Sequence, residues 1–199
     1  MSVARILPRR HLNQYLEYDI FVPKITLING NITSFEGDAI VIPSDAELSN
    51  KKANKIVEAV LEAGNNDLIK EISSIGYCEF GNAVITQGYN LKAKHLIFLP
   101  YSDSSNKENR IDFILLHKAL RSVFTLASLY SVNTLAIPIF RFKIIKLNFI
   151  EKILNFKILR TLFETKENNG LRENEVEDII ISVSSEFKNT SIKEVYIYK

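Results

Sequence analysis

The sequence predicts a three-layer α/β/α domain built on a central mixed sheet, and three observations carry that prediction. Short apolar runs alternate along the chain with segments whose apolar residues recur at helical spacing, which is the order of a sheet covered on its faces by helices. Several of the runs are continuously apolar, as strands buried on both faces are. Hydrophobic residues make up 46% and charged residues 24% of the 199 positions, the composition of a chain that buries a core, so disorder, collagen and a coiled rod are excluded. This length suits one domain with a modest extension, here divided into an N-terminal extension over 1–23 and the domain proper over 24–199.

The extension ends at Pro23 and carries a short predicted helix around His11 to Glu17, with Leu12, Tyr15 and Leu16 at its apolar positions. The first strand is Ile25 to Asn29, closed by Gly30, and the second is Asp38 to Pro43, ended by its proline. Asn50 to Ala63 places Ala53, Ile56, Val57, Val60 and Leu61 at helical spacing, with Gly64 as the predicted C-cap, and a further helix follows over Asp67 to Ile75. A third strand, Ala83 to Thr86, lies between Gly81 and Gly88, and a fourth, His95 to Pro100, again stops at proline. After a polar loop over 102–109, Ile111 to Tyr130 is a long helix with Phe113, Leu116, Leu120, Val123, Phe124 and Ala127 on one stripe. Thr134 to Pro138 is the fifth strand. A helix over 146–163, a turn over 166–170, a last helix over 174–187 and a closing strand over 194–198 complete the pattern.

Net charge is +2, from 25 basic and 23 acidic residues, too small for global electrostatics to drive nucleic-acid affinity. A lone cysteine, Cys78, rules out an internal disulfide and a cysteine-rich zinc site, and the three histidines show no metal-ligand spacing. No signal-peptide core or apolar run of membrane-spanning length is present, so a soluble cytoplasmic protein without metal, cofactor or membrane partner is expected. In open α/β sheets the ligand crevice lies beyond the C-terminal ends of the strands, which directs attention to the segments after Ile28, Ile42, Leu99 and Ile137. The seven glycines include no G-x-G-x-x-G and no G-x-x-x-x-G-K-[ST] pattern, which excludes Rossmann-type and P-loop phosphate sites.

A family resemblance rests on the residues between Ile25 and Leu99. Ile25 to Asn29, then Gly30-Asn31-Ile32-Thr33, then Asp38-Ala39-Ile40-Val41, resembles the opening of macrodomains: a strand, Gly-Asp-Ile-Thr and Asp-Ala-Ile-Val-Asn-Ala-Ala-Asn. Gly81 to Leu91 is similar to the family's Gly-Glu-Ala-x-x-Thr-x-Gly-Tyr-x-Leu, and Lys94 to Phe98 to its next strand. The resemblance spans residues 24 to about 140, and Ile192 to Ile197 resembles the family's final strand. It implies a macrodomain-like fold and a partner that is ADP-ribose or a related nucleotide.

Carried over residue by residue, the resemblance implies ligand contacts at Asn31, Ile32, Ser44 and Asp45. Asn31 stands where the family's aspartate accepts from the adenine amino group, and its side-chain carbonyl supplies an uncharged acceptor. Asp45 stands where an asparagine holds the distal ribose; a carboxylate accepts well from a diol but repels a diphosphate. It is also the candidate catalytic group, as a base that activates water, should the chain be an ADP-ribosyl hydrolase or deacetylase. Both phosphate-facing loops lack the family's glycines: 49–54 carries Lys51 and Lys52 instead, and the loop after the fifth strand carries Phe140, Arg141 and Phe142. Arg141 suits a diphosphate and the phenylalanines suit a base or ribose face. The reading is a divergent macrodomain with weak nucleotide binding and without efficient hydrolysis. Simpler roles stay open beside it: a turn residue at Asn31, a cap at Ser44 or Asp45, and packing at 140–142. So does an interaction or RNA-binding module on the basic, Phe-interleaved stretch 141–160, although an amphipathic helix accounts for that stretch better.

Overall fold

The computed structural model describes residues 20–48, 55–100, 113–139 and 173–199. Six strands form one sheet: β1 (Lys24–Ile28), β2 (Ala39–Ser44), β3 (Val84–Gln87), β4 (His95–Pro100), β5 (Thr134–Pro138) and β6 (Glu194–Tyr198), in the order β1-β6-β5-β2-β4-β3. All neighbours are parallel except β3, which runs antiparallel to β4 at the edge. Among the described residues, three helices cover the sheet: α1 (Lys55–Ile75), α2 (Phe113–Leu129) and α3 (Glu173–Glu186).

Successive side chains of a strand point to opposite faces, so each buried strand feeds two cores. Ala39, Val41, Ile97, Leu99, Leu135 and Ile137 join Leu116, Leu120, Val123 and Phe124 of α2 and Val176, Ile180 and Val183 of α3. Ile40, Ile42, Leu96, Phe98 and Ala136 join Val57, Val60, Leu68 and Ile72 of α1 on the other face. Strands sandwiched in this way need apolar residues at every position, which explains the unbroken apolar runs of β2 and β4. The three-layer arrangement and the mixed sheet agree with the sequence-based expectation.

Two details differ from it. The two helices expected over 50–63 and 67–75 are present over the described residues and meet at a break at Asn65, which has φ 64° and ψ −173°. Asn65 therefore takes the left-handed conformation assigned to Gly64, and its Oδ1 accepts from the Asp67 N–H at 2.8 Å to start the second half. Gly64 serves for space, since a Cβ there would lie 2.2 Å from Leu68 Cδ2. Finally, Pro43 lies inside β2 and does not end it. The β2–β5 register is formed only at Ala39–Leu135 and Ile40–Ala136, so the proline sits where the ladder on that side has already opened. The predicted helices over His11 to Glu17 and 146–163, the loop 102–109 and the turn 166–170 lie outside the described residues.

The N-terminal edge of the sheet is tied by Asp38. Its carboxylate accepts from the backbone N–H of Asn133 (2.8 Å) and of Thr134 (3.1 Å) and pairs with the Lys94 ammonium at 2.6 Å. Burial opposes its charge, but the bonds from Lys94, Asn133 and Thr134 outweigh it and hold the carboxyl below its ordinary range. Just before the sheet, the Phe21 N–H donates to Asn189 Oδ1 and the Asn189 N–H to the Phe21 carbonyl, at 2.9 and 3.0 Å, which fastens residue 21 to the turn between α3 and β6.

Candidate ligand crevice

From β2 the chain runs through α1 to the strands on one side of β2, and from β5 it runs through α3 to those on the other. The order of strands therefore reverses between β2 and β5, the position at which open α/β sheets bind ligands beyond their C-terminal ends. Since the β2–β5 ladder ends at Ile40 and Ala136, the two strands are unpaired from there to Ser44 and Pro138. Main-chain bonds join the remaining strand ends at this edge: Lys199 N–H to the Ile28 carbonyl at 2.9 Å and Ile139 N–H to the Tyr198 carbonyl at 2.7 Å.

The structure places Asn31, Ile32, Ser44 and Asp45 at this C-terminal edge, Asn31 and Ile32 after β1 and the other two at the end of β2. Asn31 is exposed and caps a single 3-10 turn over Ile32–Ser34. Its Oδ1 accepts from the Thr33 N–H at 3.0 Å and the Thr33 hydroxyl at 2.9 Å. A backbone N–H only donates, so the amide oxygen must face Thr33 and the NH2 end offers donors to anything else. The carbonyl expected to accept from a base is thus engaged within its own turn. Ile32 is buried, its side chain filling the α1-side core.

Ser44 ends β2 in register with Pro100 of β4. Its side chain is fully buried, and its Oγ has no hydrogen-bond partner among the described residues. Asp45 is half-buried, and its carbonyl accepts from the Leu48 N–H at 3.2 Å, closing a turn that the Cys78 N–H ties down through the Ala46 carbonyl at 2.8 Å. Leu48 adopts φ 58° with its side chain completely buried. A glycine would take this left-handed conformation without strain; here burial of the leucine holds it. Phe140, Arg141, Phe142, Lys51, Lys52 and the stretch 141–160 lie outside the described residues.

Three aromatic residues at this edge, Phe35, Tyr196 and Tyr198, are not among the candidate site residues of the sequence. Phe35, just past the 3-10 turn, packs its ring 5.5 Å from Tyr196 and 6.3 Å from Tyr198, centroid to centroid. Burial pushes the Tyr198 phenol up, so it stays protonated at neutral pH. The alternation in Glu194-Val195-Tyr196-Ile197-Tyr198 was the available signal, because period two puts both tyrosines on one face of the closing strand. Among the described residues, no group of three or more His, Cys, Asp or Glu side chains is gathered to hold a metal ion.

A macro domain family model matches residues 45–149, just over half of the chain. An uncharacterized protein of Fusobacterium nucleatum, FN1951, is 38% identical over 87 residues, covering 43% of this chain and 49% of that one. O-acetyl-ADP-ribose deacetylase 1 of Pantoea vagans is 31% identical over 122 residues, covering 58% of this chain and 68% of the deacetylase. Among solved structures, the Trypanosoma brucei macrodomain in complex with ADP-ribose superposes with a TM-score of 0.61 at 15% identity, covering 87% of this chain and 63% of that one. The chain spans half or less of the length of several curated relatives it matches, 49% of one and 21% of others.

Proposed function

The chain belongs to the macro domain family, and from that premise we propose that its crevice binds ADP-ribose or a related nucleotide, weakly and without efficient hydrolysis. The observation that carries this reading is the opened seam between β2 and β5, with Ser44 and Asp45 at its rim and the Asn31 turn on the same edge of the sheet. The ADP-ribose complex of the Trypanosoma brucei neighbour and the deacetylase activity named for the Pantoea vagans relative support a nucleotide of this class.

In this reading the Asn31–Ile32 turn meets the base, and Asp45 accepts from a ribose diol. Arg141 attracts the diphosphate between Phe140 and Phe142. Weak affinity follows from two features. The Asn31 oxygen is committed to Thr33, which leaves an adenine amino group facing donors. The Asp45 charge opposes a nearby diphosphate, by about 4 kcal/mol for unit charges 4 Å apart near a protein surface before screening. Asp45 is the group that would deprotonate or orient a water in any residual ester hydrolysis. The test is calorimetric titration with ADP-ribose, with AMP and NAD as comparisons, alongside turnover of O-acetyl-ADP-ribose by the wild type and Asp45→Ala. Saturable binding with ADP-ribose preferred to AMP, and no turnover sensitive to Asp45→Ala, is expected. No heat with any of the three ligands rejects the binding reading, and rapid turnover abolished by Asp45→Ala rejects the absence of hydrolysis.

A further inference from the structure

We infer that Glu71 guards an open edge of the sheet: its carboxylate, laid over the Gln87 N–H, keeps β3 from pairing with the β3 of a second copy of the chain. The inference is independent of what the crevice binds.

Among the described strands β3 is an outer one and pairs only with β4. The phase of its ladder follows from the turn that leads out of it. The Gly88 N–H donates to the Lys94 carbonyl at 2.8 Å, so Gly88 turns its N–H toward the β4 side, and Thr86 and Val84, at every second residue back along the strand, do the same. Ile85 and Gln87 therefore point their main-chain N–H and C=O away from the sheet. A row of such groups is a template for another strand.

Antiparallel pairing of two copies about Thr86 would set Ile85 of each opposite Gln87 of the other, and a pair of this kind exchanges both of its N–H to O=C bonds. Every bond of that ladder uses a Gln87 group. Both Gln87 groups are already taken: the N–H donates to Glu71 Oε2 at 3.3 Å, and the carbonyl accepts from the Thr86 hydroxyl at 3.1 Å. The two caps resist displacement differently. A hydroxyl rotates away and leaves a neutral carbonyl free. Glu71 is a charge, and a strand arriving at β3 would have to push it aside or take it out of water.

The carboxylate is held in place from two sides. Glu71 belongs to the part of α1 that follows the break at Asn65, and Tyr89, with φ 50°, brings its hydroxyl to the same Oε2 at 2.9 Å. A helix that covers one face of the sheet thus reaches its rim with a single side chain.

The experiment compares wild type, Glu71→Ala, Glu71→Gln and Tyr89→Phe as full chains, by sedimentation over a range of concentrations and by hydrogen exchange of the main-chain amides. The dimer dissociation constant of Glu71→Ala is expected to fall about ten- to a hundredfold below that of wild type, with Glu71→Gln between the two. Exchange at Ile85 and Gln87 of these variants slows as concentration rises. Tyr89→Phe unties α1 from the loop but leaves the carboxylate over Gln87, so it sediments as wild type does; a merely structural tie would not separate it from Glu71→Ala. Glu71→Ala and Glu71→Gln that both sediment as wild type overturn the inference. Association that leaves exchange at Ile85 and Gln87 independent of concentration overturns it too, as does equal association of Tyr89→Phe and Glu71→Ala. Should Glu71→Ala fail to fold, Glu71→Gln, which keeps the shape of the side chain, carries the same comparison.

Discussion

At the residue scale, one NH2 group separates Asn31 from an aspartate, and the Thr33 N–H decides what that difference means. An aspartate could cap Thr33 with one oxygen and keep the other for a ligand; the asparagine has a single oxygen and spends it on the turn. Asn31→Asp is expected to tighten ADP-ribose binding about fivefold to tenfold in a calorimetric titration, since charge-assisted acceptors are roughly twice as strong as neutral ones. Asp38 supports the opposite edge of the sheet. Folding lowers its pKa, so its contribution is fully present above the pKa it has in the unfolded chain and is lost as pH falls through the folded value. Asp38→Asn is expected to reduce unfolding free energy by about 1–3 kcal/mol at pH 7, and urea titrations should show the gap to wild type closing below about pH 4. Asp38 and Asn31 were visible in the sequence as members of recurring motifs. What remained hidden was direction: no pattern of letters says that the Asn31 oxygen turns inward, that Ser44 finds no partner, or that a leucine, Leu48, accepts a left-handed backbone because its side chain is buried.

At the scale of elements, strand positions were legible because burial on two faces demands continuous apolar runs, and all six described strands lie within a residue of their expected bounds. Helix ends were less so. Glycine is the commonest left-handed residue at a helix end, yet at 64–65 the glycine is needed to make room for Leu68 and Asn65 makes the turn. Gly88 shows the same distinction between freedom and space. It joins β3 to β4 in a tight loop, its N–H donating to the Lys94 carbonyl at 2.8 Å and its carbonyl accepting from the Leu91 N–H at 3.0 Å. A Cβ at this position would lie 1.7 Å from the Ala93 carbonyl oxygen, a backbone atom that cannot rotate away. Gly88→Ala is expected to destabilise the protein by about 3 kcal/mol or more, read as a fall in melting temperature of roughly 6–12 °C.

At the scale of the whole molecule, the sheet order could not be read from the chain, since apolar runs state that strands are buried and not beside which others they lie. The order decides the site, because the reversal between β2 and β5 is a property of topology. It also puts β1 at an edge, joined to β6 along its whole length and to no other described strand. Deleting residues 192–199 is therefore expected to leave β1 and β5 with open edges and to send the protein into the insoluble fraction on expression, measured by sedimentation of the lysate. The same pairing gives the molecule a history. β1 leaves the ribosome first among the described strands and waits while β2, β3, β4 and β5 are made; no described strand pairs with it until β6 follows. Translation must thus be complete through Tyr198 before the sheet closes, and until then the nascent chain carries an unsatisfied strand that a chaperone has reason to guard.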